Sequence, residues 1–327
     1  MYKLSLPTII VSSTLLLLGC TDASSADAST TDVADTSDTD TNITFDVSEP
    51  PKDHIAGDDI APDTGRIGSL ELQIMPNPDP SSPGLSAFTK HVKVLDLSIY
   101  AESGVNDANI LHAANILAEL LDNDENGTVD DPALWEILKQ NNALVPIFNA
   151  EGSPAETTFF LGYQGTGVSA VLYNTEMDPT QPGAFGADAT VEEILHTINA
   201  VGHTAVYPGA FGLEPGSSIL TQAMDIARAG QFLGHPGTYP DDAWYHYDDT
   251  TCDYRCMAIE YLYWAIVTNM GILDDPTTCA DIADEWEPCS KDLLMATDTL
   301  VYNLITDPAY ALPQRAPDGT YAPSPAR

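Results

Sequence analysis

The sequence predicts an α+β fold for residues 67–327: one helix-rich domain with a small mixed sheet, set behind a disordered acidic tether. Three observations lead there. Short runs such as LELQIM, VKVLDLSIYA and ALVPIFN alternate, or are apolar and β-branched, as strands are. Longer runs such as NDANILHAANILAELL space their apolar residues at the helical period. From Thr21 to Arg66, Asp, Ser, Thr and Ala dominate and Phe45 is the only aromatic residue, so that stretch buries too little apolar surface to offset its ordering entropy.

Along the chain, strands are expected at 70–75, 92–101, 143–149 and 168–174. Helices are expected at 106–121, 132–140, 189–201, 217–230, 256–270 and 291–305, with Gly- and Pro-rich loops at 178–186, 208–216 and 234–240. No internal repeat and no second linker divides this region, so it reads as one domain.

Residues 1–19 have the form of a processing signal. Lys3 precedes an apolar run, Ile9 to Leu18, that is short for a membrane span and suits a signal-peptide core. The end of that run, Leu17-Leu18-Gly19-Cys20, resembles a bacterial lipobox, which implies lipidation of Cys20 and attachment to a membrane. Thr21 occupies the slot where aspartate would retain a lipoprotein in the inner membrane, so the expected location is the bacterial cell envelope at the outer membrane or cell surface. Residues 20–66 would then be a self-repelling tether, and its His54 is assigned no role.

The chain carries 49 acids against 11 bases. That balance lacks the basic footprint of a nucleic-acid-binding protein. It fits a salty habitat, cation binding, or a cationic or neutral substrate without separating them. Four cysteines remain after Cys20, and an even number in an exported chain reads as two disulfides. Three pairings can be written. Short loops close most easily, which favours Cys252 with Cys256 and Cys279 with Cys289; C-x3-C and C-x9-C are not zinc-finger spacings.

Two stretches have metal-ligand spacing. Asp122-Asn123-Asp124-Glu125-Asn126-Gly127-Thr128-Val129-Asp130 resembles the first nine positions of an EF-hand loop, with Asp122, Asp124, Asn126, Thr128 and Asp130 as oxygen ligands for calcium. Ala133 stands where the bidentate glutamate belongs, with Asp131 and Glu136 as the nearby substitutes. A single loop of this kind points to a structural staple rather than a sensor.

The second stretch is Val191-Glu192-Glu193-Ile194-Leu195-His196, an H-E-x-x-H pattern with glutamate in place of the first histidine. On a helix, Val191, Ile194, Leu195, Ile198 and Val201 form an apolar arc, while Glu192, His196, Asn199 and His203 form a stripe beside it. An i, i+4 pair such as Glu192 and His196 can share one metal ion, and a glutamate at i+1 reaches the bound water. The same residues would also serve as the polar face of an ordinary helix.

Glu260 tips that balance. It is the only charge in Met257–Val267, and a helix apolar on every side is a buried one. A buried carboxylate must be paired, protonated or bound to metal. Just before it, Ala243–Tyr254 packs Trp244, Tyr245, His246, Tyr247 and Asp248 into one loop, where Tyr245, Tyr247 and Asp248 are candidates for binding substrate and His246 for an extra metal ligand.

From about Lys90 to Gly271 the chain resembles a group of uncharacterised bacterial exported proteins. They share an LDND-type loop, the E-E-x-x-H helix, and a block written here as AWYHYDDTTCDYRCMAIEYLYW. The motif set also distantly resembles the gluzincin branch of zincin metallopeptidases. That resemblance implies a zinc ion held by Glu192, His196 and Glu260, with His203 or His246 as substitutes and Glu193 as general base, acting on a peptide. Two other functions fit the residues: a glycan-acting enzyme using Glu193 and Glu260 as acid and base, and a calcium-stabilised surface binding protein with the aromatic loop as its contact patch. Neither a G-x-S-x-G elbow nor a phosphate-binding glycine loop is present.

Overall fold

In this computed structural model, which describes residues 72–324, the stretch 92–101 is two strands rather than one. β2 (Lys90–Val94) and β3 (Leu97–Ala101) form an antiparallel hairpin in which Val94 faces Leu97. Leu95 and Asp96 between them take φ of 48° and 65°. Two successive left-handed residues give the turn whose twist matches a hairpin, and that turn normally announces itself with Asn-Gly or Asp-Gly. Leu-Asp carries no such signal.

β1 (Met75–Pro76) adds antiparallel to β2. β4 (Leu144–Phe148) and β5 (Leu172–Tyr173) continue the sheet in parallel, so the order is β1-β2-β3-β4-β5 and the sheet is mixed. Parallel neighbours require crossovers. α1 (Asp107–Leu121) and α2 (Pro132–Gln140) provide the first, and α3 (Pro154–Gly162) the second. Periodicity alone misses α3, although Ser153 caps it by accepting from the Glu156 amide at 3.1 Å and Pro154 opens it.

Period-two alternation splits β3 and β4 between two cores. Ile99, Val145 and Ile147 join the large core, while Tyr100, Leu144 and Phe148 join Phe88, Phe159 and Tyr173 in a small aromatic cluster under α3. Beyond β5 the chain is helical: α4 (Thr190–Thr197), a π turn (Ile198–His203), α5 (Thr204–Val206), α6 (Pro208–Phe211) and α7 (Ile219–Ala227). Then come α8 (Tyr254–Met270), α9 (Pro276–Asp281), α10 (Lys291–Thr297) and α11 (Thr299–Thr306). The helix expected at 291–305 is broken at Asp298. This carboxylate caps α11 through the Val301 amide (3.2 Å) and accepts from Trp244 Nε1 (3.0 Å) and the Tyr261 hydroxyl (2.5 Å).

The described residues belong to one α+β unit. Cys252 pairs with Cys256 and Cys279 with Cys289, each with Cα atoms 5.4 Å apart. Near its end the chain returns to the C-terminus of α1. Amides of Gln314 and Arg315 donate to Asn123 Oδ1, the Gly319 amide to Glu119, and the Tyr321 hydroxyl to Asp122 Oδ2 at 2.7 Å. Among the described residues no helix is long and apolar enough to cross a membrane. The signal segment 1–19, Cys20, the tether 20–66 and the start of the strand expected at 70–75 lie outside the described residues.

Candidate metal centre

Two helices meet at the centre. α4 is placed from its start by Asp188, which accepts from Thr190 Oγ1 (2.7 Å) and the Gly183 amide (2.8 Å) and lies 3.0 Å from His112 Nε2 on α1. Both members of that His–Asp contact are buried, so it ties α4 to α1 without exposure to solvent. α8 starts at the Asp253 cap, with the Arg255 and Cys256 amides both donating at 3.0 Å, and stops at Gly271, whose φ of 79° suits glycine. Between these ends nearly every residue is buried, as an all-apolar helix requires.

Glu260, the one charge of that helix interior, faces α4. Its Oε2 is 3.3 Å from His196 Nε2, and Glu193 Oε2 is 3.6 Å from His196 Nδ1. The imidazole is fully buried, and neither ring nitrogen makes an aligned hydrogen bond; Glu260 Oε1 is unpartnered as well. Glu192, Glu193 and His196 each bring one ligand atom within 4.8 Å of the others, an arrangement able to hold a metal ion. Glu192 is the half-buried member and hydrogen-bonds Tyr263, whose ring stands edge-on to His196 at 5.6 Å.

Electrostatics here favour a cation. Burial and then the neighbouring charges of Glu193 and Glu260 push Glu192 well above the usual carboxylate range. For His196 burial acts downward, but Glu260 and Glu193 outweigh it and hold the ring well above an ordinary histidine. Two further acids stand around this group, and neither stands out in the sequence. Glu176 is raised to about 8 by burial and by Glu193. Glu285 is raised to about 8 by burial and by Asp248, with which it shares a hydrogen bond. In a chain with 49 acids, nothing in NTEMD or IADEW marks either one.

The other expected site residues are placed unevenly: Tyr247 lies close enough to Glu260 and Glu192 to feel their charge, and Asp248 shares a hydrogen bond with Glu285. Tyr245 is fully buried and donates to the Met257 carbonyl at 2.8 Å, so it braces α8 one turn before Glu260 rather than facing a ligand. Tyr247 is buried too, its carbonyl taking the Tyr239 hydroxyl at 2.7 Å; Asp248 is exposed. His246 packs its ring edge-on against Tyr239, with centroids 5.6 Å apart.

His203 has left the stripe. A π turn adds a residue to the helix and rotates the residues beyond it by about 100°, so the ring lies against Phe211, 5.2 Å away, and senses Asp131 instead of His196. Gly202 makes this turn fit, since a Cβ there would sit 2.4 Å from Leu134 Cδ1 on α2. Burial lowers His203 to about 4, against smaller upward pulls from Asp131 and the Tyr310 backbone. A histidine depressed in the folded state favours the unfolded chain as acid is added. Its stability contribution is whole above about pH 6.5 and is lost as pH falls towards 4, by roughly 2–3 kcal/mol at pH 4.5. Urea denaturation of wild type and His203→Gln should therefore converge by that amount between pH 7 and 4.5; parallel curves would refute this account.

At the acidic loop, Asp122, Asp124 and Asp130 bring one oxygen each within 4.8 Å of the others. Gly127, with φ of 84°, makes the turn and donates to Asp122 Oδ2 at 2.9 Å. The Asn126 side chain donates to Asp124 at 2.8 Å, and Thr128 follows the turn half-buried. Asp130 is raised to about 6 by burial and by its acidic neighbours. Both expected substitutes for the missing glutamate are engaged elsewhere: Asp131 caps α2 and takes the Tyr207 hydroxyl, and Glu136 pairs with Lys139 at 2.8 Å. No protein-family model, curated protein or solved structure matches the chain.

Proposed function

We propose that the chain is an exported, lipid-anchored, metal-dependent hydrolase whose centre is Glu192, Glu193, His196 and Glu260. The observation carrying this reading is His196: a fully buried imidazole with carboxylates at both nitrogens and an aligned hydrogen bond to neither. A buried ring without an aligned hydrogen bond is costly, and a cation would satisfy it together with Glu192. Because Glu193 and Glu260 lie at opposite nitrogens, one ion cannot be bound through the ring and meet both at the same distance. In the assignment that uses every residue, His196 and Glu192 would hold the ion. Glu260 would then accept a hydrogen bond from the Nε2–H and fix the ring, as carboxylates beside metal-binding histidines do. Glu193, at the i+1 position, would accept a proton from the attacking water and return it to the leaving group, the ion supplying acidification of that water.

Zinc is the ion this signature favours, and a peptide or glycan is the substrate class. A carboxylate-rich set leaves the ion less positive than a two-histidine set and acidifies its water less, which favours readily cleaved bonds over unactivated amides. The Asp122–Asp130 loop would hold calcium as a staple. Attachment through Cys20 places the domain at the bacterial cell envelope. The test is metal analysis and hydrolysis assays on the purified full chain. His196→Ala should lose the transition metal and the activity, whereas Glu193→Gln should keep the metal and lose activity by about 10²–10⁴-fold. Wild-type protein without transition metal, or an unchanged His196→Ala variant, would sink the reading.

A further inference from the structure

Asn199 is fully buried on the helix that carries His196, and both its Oδ1 and its Nδ2 lack a hydrogen-bond partner. An amide has two donor hydrogens and a carbonyl with two lone pairs. Burying all of this unmatched is among the costlier things a core can do, since each unmet group carries its full desolvation penalty. An apolar residue of similar size would remove that cost, so the amide calls for a reason.

Its position supplies one. Asn199 stands three residues after His196, and residues three apart on a helix lie on one face. The π turn spans Ile198–His203, with Asn199 one residue from its start and next to the α-helical turn of His196, while His203 comes at its end and lies against Phe211. Thr197 and Ile198 line a small apolar cavity with Leu97, Leu117, Leu138 and Val145. The stripe that the α-helical period draws through Glu192, His196, Asn199 and His203 is thus cut after Asn199. π turns within α-helices recur at functional sites because they re-aim side chains in this way.

We propose that Asn199 is a ligand of the metal centre, giving its Oδ1 to the same ion as His196 and Glu192. This rests on the proposed metal site and deepens it. With Glu260 at the far nitrogen and Glu193 as the proton acceptor, the ion otherwise has two protein ligands, and a neutral amide oxygen supplies the third without adding to the negative charge. Asn199 Nδ2 then remains to donate to a carboxylate or to substrate held at the ion. A site of one imidazole, one carboxylate and one amide oxygen is harder than a histidine-rich set and leaves open positions for water and substrate.

The experiment uses the full chain, stripped of metal and titrated with Zn²⁺ against a competing chromophoric chelator, and separately with Co²⁺, whose visible absorption reports coordination. Asn199→Leu should weaken Zn²⁺ at least tenfold and alter the Co²⁺ spectrum, while its metal-free form melts no lower than metal-free wild type. Asn199→Asp should bind at least as tightly as wild type. Asn199→Ala serves as the same test should the leucine variant fail to fold. If Asn199→Leu and Asn199→Ala bind Zn²⁺ within twofold of wild type and leave the Co²⁺ spectrum unchanged, the amide is no ligand and this inference falls while the metal site stands. If wild type binds neither ion, the metal site itself falls.

Discussion

Chelator-stripped protein should regain stability in two separable steps, one on adding Zn²⁺ and one on adding Ca²⁺. An ion that binds only the folded state stabilises it by RT ln(1 + [ion]/Kd), about 4 kcal/mol when the ion is a thousandfold above Kd. For a domain of this size each kcal/mol moves the melting temperature by roughly 2–4 °C, so a saturating ion should raise it by roughly 8–16 °C. The Zn²⁺ step should vanish in His196→Ala and survive in Asp122→Asn, because His196 belongs to one group of ligand atoms and Asp122 to the other. The Ca²⁺ step should do the reverse. It should also shrink as pH drops through about 6, where protons begin to compete for Asp130. Differential scanning calorimetry reads all of this; a melting temperature that neither ion moves by more than about a degree would remove both sites.

The second large effect is expected at Arg228. Its side chain is fully buried, donating from Nη1 to the Phe232 carbonyl at 2.9 Å and from Nη2 to the Gly234 carbonyl at 3.3 Å. The guanidinium also lies over the rings of Phe232 and Tyr239, 5.3 and 5.7 Å from their centroids. Arg228→Met keeps the stem but leaves two carbonyls unpaired and removes both ring contacts, a loss of about 3–4 kcal/mol. Arg228→Lys should recover little, since an ammonium cannot span two carbonyls and stack flat at the same time. Urea midpoints at neutral pH decide it, and full stability in either variant would show that the guanidinium contributes nothing net. The loop it organises leads through Tyr239 to Tyr245, the brace of α8, so proteolysis of the 229–247 segment should quicken in the same variants.

Much of this fold can be read from periodicity because its long helices and β4 have unambiguous patterns. The errors share a cause: local signals that periodicity averages away. Leu95-Asp96 makes a hairpin turn without glycine, and a window over 92–101 sees one strand. Asp298 breaks a helix because Trp244 and Tyr261, both distant in sequence, need its carboxylate. Ser153-Pro154 does announce a helix, but PAETTFFLG packs against an aromatic cluster rather than showing one apolar face. At the candidate metal centre, Glu260 is legible because a charge among apolar residues is conspicuous. Glu176 and Glu285 are not, being acids among acids. His203 falls on the wrong side of a helical wheel because a π turn leaves no mark there.

The bonds between residues 314–324 and the end of α1 join positions about 190–200 apart in the chain. These contacts can form only after residues 314–324 have been synthesised. Closing so long a loop costs little in final stability, since that cost grows only with the logarithm of length, but it slows the search for the native arrangement. The acidic loop, made early, thus waits for the tail to supply the Tyr321 hydroxyl.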